Sequence, residues 1–349
     1  MSGNVVGLDI GTTAVRAAEL SVRRGTVVLE RFGEVALPAG AVVDGEVVDP
    51  DVVATATKEL WRRARFGSRQ VVMGVANQRV VVRLVDLPQM DADELRSSLR
   101  FQVQDHIPIP VEDAELDFDI LGEHEGGAGQ RLMRVLLVAA QKDMIAGHLR
   151  AGVKARLKPV SIDLTPFALI RSLAPEGSAP LADTGEALID VGSGVTNIVV
   201  HENGTPRFVR ILLLGGRDIT DALREGLALD YEGAENAKLA AAAGTARDQA
   251  VDRIVEHRVT AFVEEVQGSL DFHRAQAGAV PVSRVLLTGG GSRLPSIGER
   301  LREALRLPVE RGRTLEAVRL GRLRRQSGQL ADIEPVAAVP VGLALGGVF

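Results

Sequence analysis

Apolar residues along the chain switch between two periods, and the points of change mark the elements. Residues 5–10, 14–20 and 27–37 are short runs rich in β-branched and apolar residues, so three strands are expected, with Gly25 and Gly33 at a turn or bulge. Asp49 followed by Pro50 pairs a helix cap with proline at the first helical position. Val53, Thr57, Leu60 and Ala64 then share one helical face, and Gly67 is expected to stop the helix. Residues 70–76 (QVVMGVA) are almost continuously apolar, which predicts a strand buried on both faces.

The pattern then restarts as a compact unit over residues 80–160. A strand at 79–87 ends at Pro88. Asp91 with Glu94 makes a capping box for a helix carrying Leu95, Leu99, Val103 and Ile107 and stopped by Pro108. Strands at 114–121 and 131–140 flank the loop Gly126-Gly127-Ala128-Gly129, and a helix at 142–151 and a strand at 158–162 complete the unit. A short helix at 166–173 leads into APEGSAPLADTGE, residues 174–186, where the main domain boundary is expected.

Residues 187–200 read ALIDVGSGVTNIVV: an apolar strand ending in Asp190, a Gly-Ser-Gly turn, then another strand. After a turn at residues 202–205, a strand at 208–214 delivers Gly215-Gly216. This order matches GLDIGTTAVRAAEL near the start, where Asp9 precedes Gly11-Thr12-Thr13, so the two halves form an architectural repeat. Three helices follow: one from Arg217-Asp218, one containing Glu235, Ala237 and Lys238, and a long one over 248–277. A strand at 284–288 runs into Gly289-Gly290-Gly291-Ser292, and a helix after Pro295 carries Ile297, Leu301 and Leu305. Residues 311–334 are Arg-rich and read as a surface segment, and 339–348 as a final buried helix.

Composition narrows the function classes. Among 349 residues, 41 Lys and Arg against 46 Asp and Glu leave a net charge of −5 without a block of like charge, unlike a general nucleic-acid binder. Aromatics are few, so the core must be built from Val, Leu, Ala and Ile. Without cysteine there is no disulfide framework, thiolate metal site or cysteine nucleophile. No apolar run reaches the roughly 18 residues of a membrane span, and no signal-peptide pattern precedes the first strand, so a soluble cytoplasmic protein is expected.

The repeated turn carries the chemistry. A Gly-hydroxyl turn after a strand presents backbone N–H groups and hydroxyls to an anion, while the aspartate before it can hold a hydrated cation. One such turn is equally a plain hairpin. Two of them facing each other can clamp a polyphosphate, with Asp9 and Asp190 converging on a metal. Gly289, Gly290 and Gly291 permit close backbone approach to a ribose or phosphate. Glu235 and Lys238 share a helix face at i, i+3, either as a solvated salt bridge or as groups for ribose and base. No P-loop is present, GSGVTN is followed by a strand rather than the helix of a dinucleotide site, and Ser193 lacks a nucleophile elbow. The six histidines show no metal spacing.

The set GLDIGTT, IDVGSGVTNIVV, LLLGGRDIT and LLTGGGSRLPSI resembles the actin/Hsp70/hexokinase ATPase superfamily. Within it, the chain is most like the PilM-type actin-like type IV pilus assembly proteins, relatives of the cell-division protein FtsA. The inserted unit with His106-Ile107-Pro108-Ile109-Pro110, the stretch Gly215-Gly216-Arg217-Asp218-Ile219-Thr220, and Gly342-Leu343-Ala344-Leu345-Gly346 carry that likeness. The resemblance implies an α/β, actin-like (ribonuclease H-like) two-lobed ATPase fold. Residues 1–79 and 161–183 would form the first lobe, 80–160 a small inserted α/β domain, and 184–349 the second lobe with a helical subdomain near 217–283.

It also implies ATP and Mg²⁺ in the cleft. Asp9, Gly11, Thr12 and Thr13 match the first phosphate motif, and Asp190, Gly192, Ser193 and Gly194 the second. Gly289, Gly290, Gly291 and Arg293 match the adenosine motif, and Gly215 and Gly216 the family's Gly-Gly segment. Family members bind the cytoplasmic N-terminal tail of the membrane protein PilN and link a cytoplasmic ring to the inner-membrane pilus platform. The expected partners are therefore a PilN-type tail, other platform proteins and further copies of the chain, with membrane contact only through partners. FtsA-like proteins end in an amphipathic membrane helix, whereas this sequence stops at Phe349 after the core segment. No residue stands out for positioning an attacking water, so at most slow ATPase activity is expected. An FtsA-like filament protein and a small-molecule kinase of the same fold are the alternatives.

Overall fold

The computed structural model describes residues 4–174, 183–245, 248–276, 278–321 and 330–347. The chain opens with an antiparallel meander, β1 (Val5–Ile10), β2 (Ala14–Arg23) and β3 (Thr26–Ala36), followed by the small hairpin β4 (Val42–Val43) and β5 (Glu46–Val47). Helix α1 (Pro50–Ala64) starts where Asp49 accepts hydrogen bonds from the Asp51 and Val52 amides at 3.0 and 3.1 Å. It ends two residues before Gly67: Arg65 takes the left-handed conformation, φ 56°, and donates its N–H to the Trp61 carbonyl, satisfying a terminal acceptor. Strand β6 (Gln70–Val75) then pairs parallel to β1 and is buried from Val71 onwards.

The inserted unit contains β7 (Val80–Pro88), α2 (Ala92–Gln102), β8 (Ala114–Glu125) and β9 (Arg131–Gln141), with the antiparallel order β7-β9-β8. Helix α2 leaves helical geometry after Gln102 rather than at Pro108. The chain turns through residues 103–106, where the His106 amide donates to the Val103 carbonyl, and Val103 and Ile107 still reach the core. Helix α3 (Lys142–Lys154) packs on α1, and β10 (Lys158–Leu164) pairs parallel to β6. The sheet of the inserted unit is thus three-stranded, and the strand expected to complete it belongs to the larger sheet. Helix α4 (Thr165–Leu173) follows directly.

Strands β11 (Gly185–Val191), β12 (Thr196–Glu202) and β13 (Thr205–Leu212) form a second meander. Helices α5 (Gly216–Leu227), α6 (Tyr231–Ala243) and α7 (Gln249–Arg274) come next. They are followed by β14 (Val282–Thr288), α8 (Pro295–Leu305), β15 (Val309–Arg311) and β16 (Arg319–Leu320). The last helix, α9, spans Leu330–Gly346. The expected linker at 174–186 falls largely in residues 175–182, outside the described residues, as do residues 322–329 of the Arg-rich segment and the ends of the expected 248–277 and 339–348 helices.

The two large sheets repeat one topology. The first has the order β10-β6-β1-β2-β3-β16 and the second β15-β14-β11-β12-β13 when read from its parallel edge. Each is a three-stranded antiparallel meander whose first strand continues through two parallel neighbours. Parallel strands need helical crossovers, which explains why β6, β10, β14 and β15 are each preceded by a helix.

Helices α4 and α9 lie together between the sheets. Their core includes Val72 of the first sheet, Leu188, Val199 and Leu286 of the second, and Leu169 and Leu343 of the helices. Glycine is required at this crossing: a Cβ on Gly342 would stand 1.8 Å from the Ala168 carbonyl oxygen, and one on Gly7 2.0 Å from that of Pro340. Residues 311–321 and 330–334 depart from a surface segment. Thr314, Leu315 and Val318 are buried, β16 pairs with β3, and α9 already begins at Leu330.

Candidate functional site

A cleft of about 970 Å³ opens between the two sheets at the ends of β1 and β11. Each strand turns there in the same way. Ile10 pairs with Val15 and Val191 with Thr196, so both hairpins enclose four residues. The Gly11 amide donates to the Ala14 carbonyl at 3.0 Å, and the Gly192 amide to the Val195 carbonyl, also at 3.0 Å. The turns meet: a Cβ on Gly194 would lie 2.8 Å from the Thr12 hydroxyl.

The register also places a polar residue opposite each aspartate, Arg16 across from Asp9 and Asn197 across from Asp190. The Arg16 guanidinium lies 3.9 Å from Asp9 and is held by Glu34 of β3, to which its Nε donates at 2.5 Å. Asn197 donates its Nδ2 to Asp190 at 3.2 Å, and its Oδ1, at the cleft wall, is buried without a partner among the described residues. Burial raises the pKa of Asp9, opposed by Arg16 and helped by Glu34. Burial, then the charge of Asp9, pushes Asp190 up to about 6, against the hydrogen bond from Asn197. Two half-buried carboxylates, each raised by burial and Asp190 further by the charge of Asp9, beside an acceptor lacking a donor among the described residues, form a set of hard oxygens suited to a hydrated cation.

The start of α5 is bound to the second turn. The Gly216 amide donates to the Gly192 carbonyl at 3.0 Å and the Arg217 amide to that of Ser193 at 2.8 Å. Asp218 accepts from the Gly215 amide at 2.7 Å. On α6, Lys238 donates to Glu235 and to the Thr220 hydroxyl at 2.8 Å each, and to the Gly216 carbonyl at 3.1 Å, while Thr220 donates to Glu235 at 2.7 Å. The pair Glu235–Lys238 is therefore joined to α5 and lines the cleft rather than being a solvated surface pair.

The third wall comes from β14 and the turn after it. Gly289 has φ 87°, a left-handed conformation that favours glycine, and its amide donates to the Pro335 carbonyl of α9 at 2.7 Å. Arg293 lines the cleft and donates to the Asp332 carbonyl. Fourteen of the sixteen residues expected at the site line the cleft. Gly194 and Gly215 do not, and instead pack against Thr12 and against the carbonyls of Gly192 and Ser193.

Other cleft residues were not singled out by motif. Arg16 and Asn197 each follow their aspartate by seven positions, a spacing the repeat contained. Thr165, at the first turn of α4, and buried His148 of α3 reach the cleft through tertiary packing with no local signal. His148 donates Nδ1–H to the Met144 carbonyl at 3.1 Å, and burial lowers its pKa, so the ring is neutral.

Two repeated sheets with facing hairpin turns and a pair of helices between them define the actin-like ATPase fold. Within it, the family profile described as type IV pilus assembly protein PilM matches residues 7–348, and the chain belongs to that family. The solved PilM-PilN type IV pilus biogenesis complex contains a chain 30% identical to this one, with TM-score 0.87 and 100% coverage of both. The ethanolamine utilization protein EutJ from Carboxydothermus hydrogenoformans shares the fold at TM-score 0.57 and 15% identity, over 99% of this chain and 90% of EutJ. FtsA of Streptococcus pneumoniae serotype 2 (strain D39) is 24% identical over 351 residues, covering 88% of this chain and 75% of FtsA. No helix among the described residues is long and apolar enough to cross a membrane.

Proposed function

We propose that the protein is an ATP-binding scaffold of the type IV pilus assembly platform that binds the cytoplasmic tail of a PilN-type membrane protein. Residues 80–160 and the first lobe would offer the tail its surface, and membrane attachment would come through that partner. The likeness to the PilM chain of a PilM-PilN complex over the full length of both chains supports the partner reading.

The observation that carries the nucleotide reading is the facing pair of hairpins. The amides and hydroxyls of Thr12, Thr13 and Ser193, on turns closed by the Gly11 and Gly192 amides, suit a polyphosphate from two sides. Arg16 supplies the positive charge nearest to Asp9. The adenosine end fits the wall made by Glu235, Lys238, Gly289, Gly290 and Gly291. Asp9, Asp190 and the unpartnered Asn197 Oδ1 would hold hydrated Mg²⁺, which supplies charge neutralisation to the phosphates.

The partner reading is tested by isothermal titration with a synthetic peptide of the N-terminal cytoplasmic tail of a PilN-type protein. Saturable one-to-one binding is expected. A correctly folded protein that binds no such peptide, with or without Mg-ATP, contradicts the scaffold role.

A further inference from the structure

Helix α4 connects three bodies. Its first residue, Thr165, lines the cleft. Two residues on, Phe167 packs at two clusters at once. One contains Leu188 and Val199 of the second sheet. The other is built from Val75, Ala140, Met144 and Leu164, and is flanked by Val80, Val82 and Val138 of the inserted sheet. The same junction brings β7 of the inserted unit directly against β13 of the second sheet, with α4 touching β12 and β13. The Phe167 side chain is thus shared between the interior of the lobes and the base of the inserted sheet.

A ligand seated between the two turns, which already touch at Thr12 and Gly194, must shift the second sheet against the first, and α4 lies at that boundary. Packed interiors do not deform smoothly; they repack. Thr165 feels the cleft from within the same helical turn as Phe167, and a rigid turn of helix carries displacement over that distance without loss. We propose that Phe167 couples occupancy of the cleft to the packing of the inserted sheet, so that nucleotide sets the state of the unit assigned to the partner. This rests on the nucleotide reading above. The coupling element is one aromatic side chain held between two clusters, and its removal separates the two events without removing either binding surface.

Hydrogen exchange followed by mass spectrometry tests it on the full chain. In the wild type, Mg-ATP is expected to slow exchange at the two turns and also to change exchange in β7 and β9 by about threefold or more. Phe167→Ala is expected to keep the slowing at the turns and lose the change in β7 and β9, whereas Phe167→Leu retains both. Val82→Ala, which loosens the same packing from the inserted sheet, is expected to weaken the distant change and serves if Phe167→Ala does not fold. A change in β7 and β9 that persists in both alanine variants overturns the coupling, as does a wild type protected at the turns alone. Absence of protection at the turns overturns the nucleotide reading instead, so the two failures are distinct.

Discussion

The hydroxyl of Thr12 stands 2.8 Å from where a Cβ on Gly194 would be, so the hairpin turns of the two sheets touch across the cleft. Neither turn can be enlarged there without parting the lobes. Gly194→Val is expected to hold the turns apart and to weaken Mg-ATP binding by about tenfold, roughly 1.4 kcal/mol, with little loss of thermal stability. Titration calorimetry and a circular dichroism melt check the two halves of that statement. Unchanged affinity would mean that closure of these turns does not contribute to binding.

Arg16 is held by Glu34 on one side and faces Asp9 on the other. Its removal leaves three carboxylates, Asp9, Asp190 and Glu34, around the cleft proposed to hold a polyphosphate. Arg16→Ala is expected to reduce ATP affinity by at least about tenfold, and Arg16→Lys to recover much of it because the charge is kept. The loss should shrink at high salt, since part of the contribution is long-range and screened.

Asp190 titrates at about 6, well above an unfolded aspartate at 3.8. The folded state therefore binds more protons than the unfolded state between these values. Through this group, stability rises as pH falls from about 7 towards 4. Mg²⁺ needs the ionised carboxylate, so Mg-ATP affinity is expected to fall over the same acid range. Comparing thermal melts of wild type and Asp190→Asn across that range isolates the group from the other carboxylates. The acid-side gain of the wild type should be missing in the variant, and identical profiles would contradict the raised pKa.

Lys238 sits between Glu235, Thr220 and the Gly216 carbonyl, on the wall proposed for the adenosine end. Lys238→Met is expected to weaken ATP while leaving inorganic tripolyphosphate unaffected. A parallel loss for both ligands would place Lys238 at the phosphates.

Much of this site could be read from the order of residues alone. Asp9 and Asp190 each end an apolar strand before a Gly-hydroxyl turn, and local turn chemistry survives folding unchanged. Strands β1, β6 and β11 were visible because burial on both faces leaves an apolar run. What local pattern could not supply was partnership. β10 has the composition of any strand, and only its pairing with β6 shows which sheet it completes. Arg65 ends α1 in a left-handed conformation rare outside glycine, so the local signal for the break lies two residues on, at Gly67. Residues 314–318 read as surface because their Arg neighbours outnumber Leu315 and Val318, which are buried only once α9 packs beside them. His148 and Thr165 reach the cleft through the packing of α3 and α4, which no spacing encodes.

Two facing hairpins are proposed to hold Mg-ATP through the paired Asp9 and Asp190. Titration calorimetry of Mg-ATP into the wild type and into Asp9→Ala with Asp190→Ala tests it most directly. One-site binding by the wild type and a loss of at least about a hundredfold in the double variant, some 2.7 kcal/mol, is the predicted result. Equal affinity in a double variant whose circular dichroism and melting match the wild type would contradict the clamp.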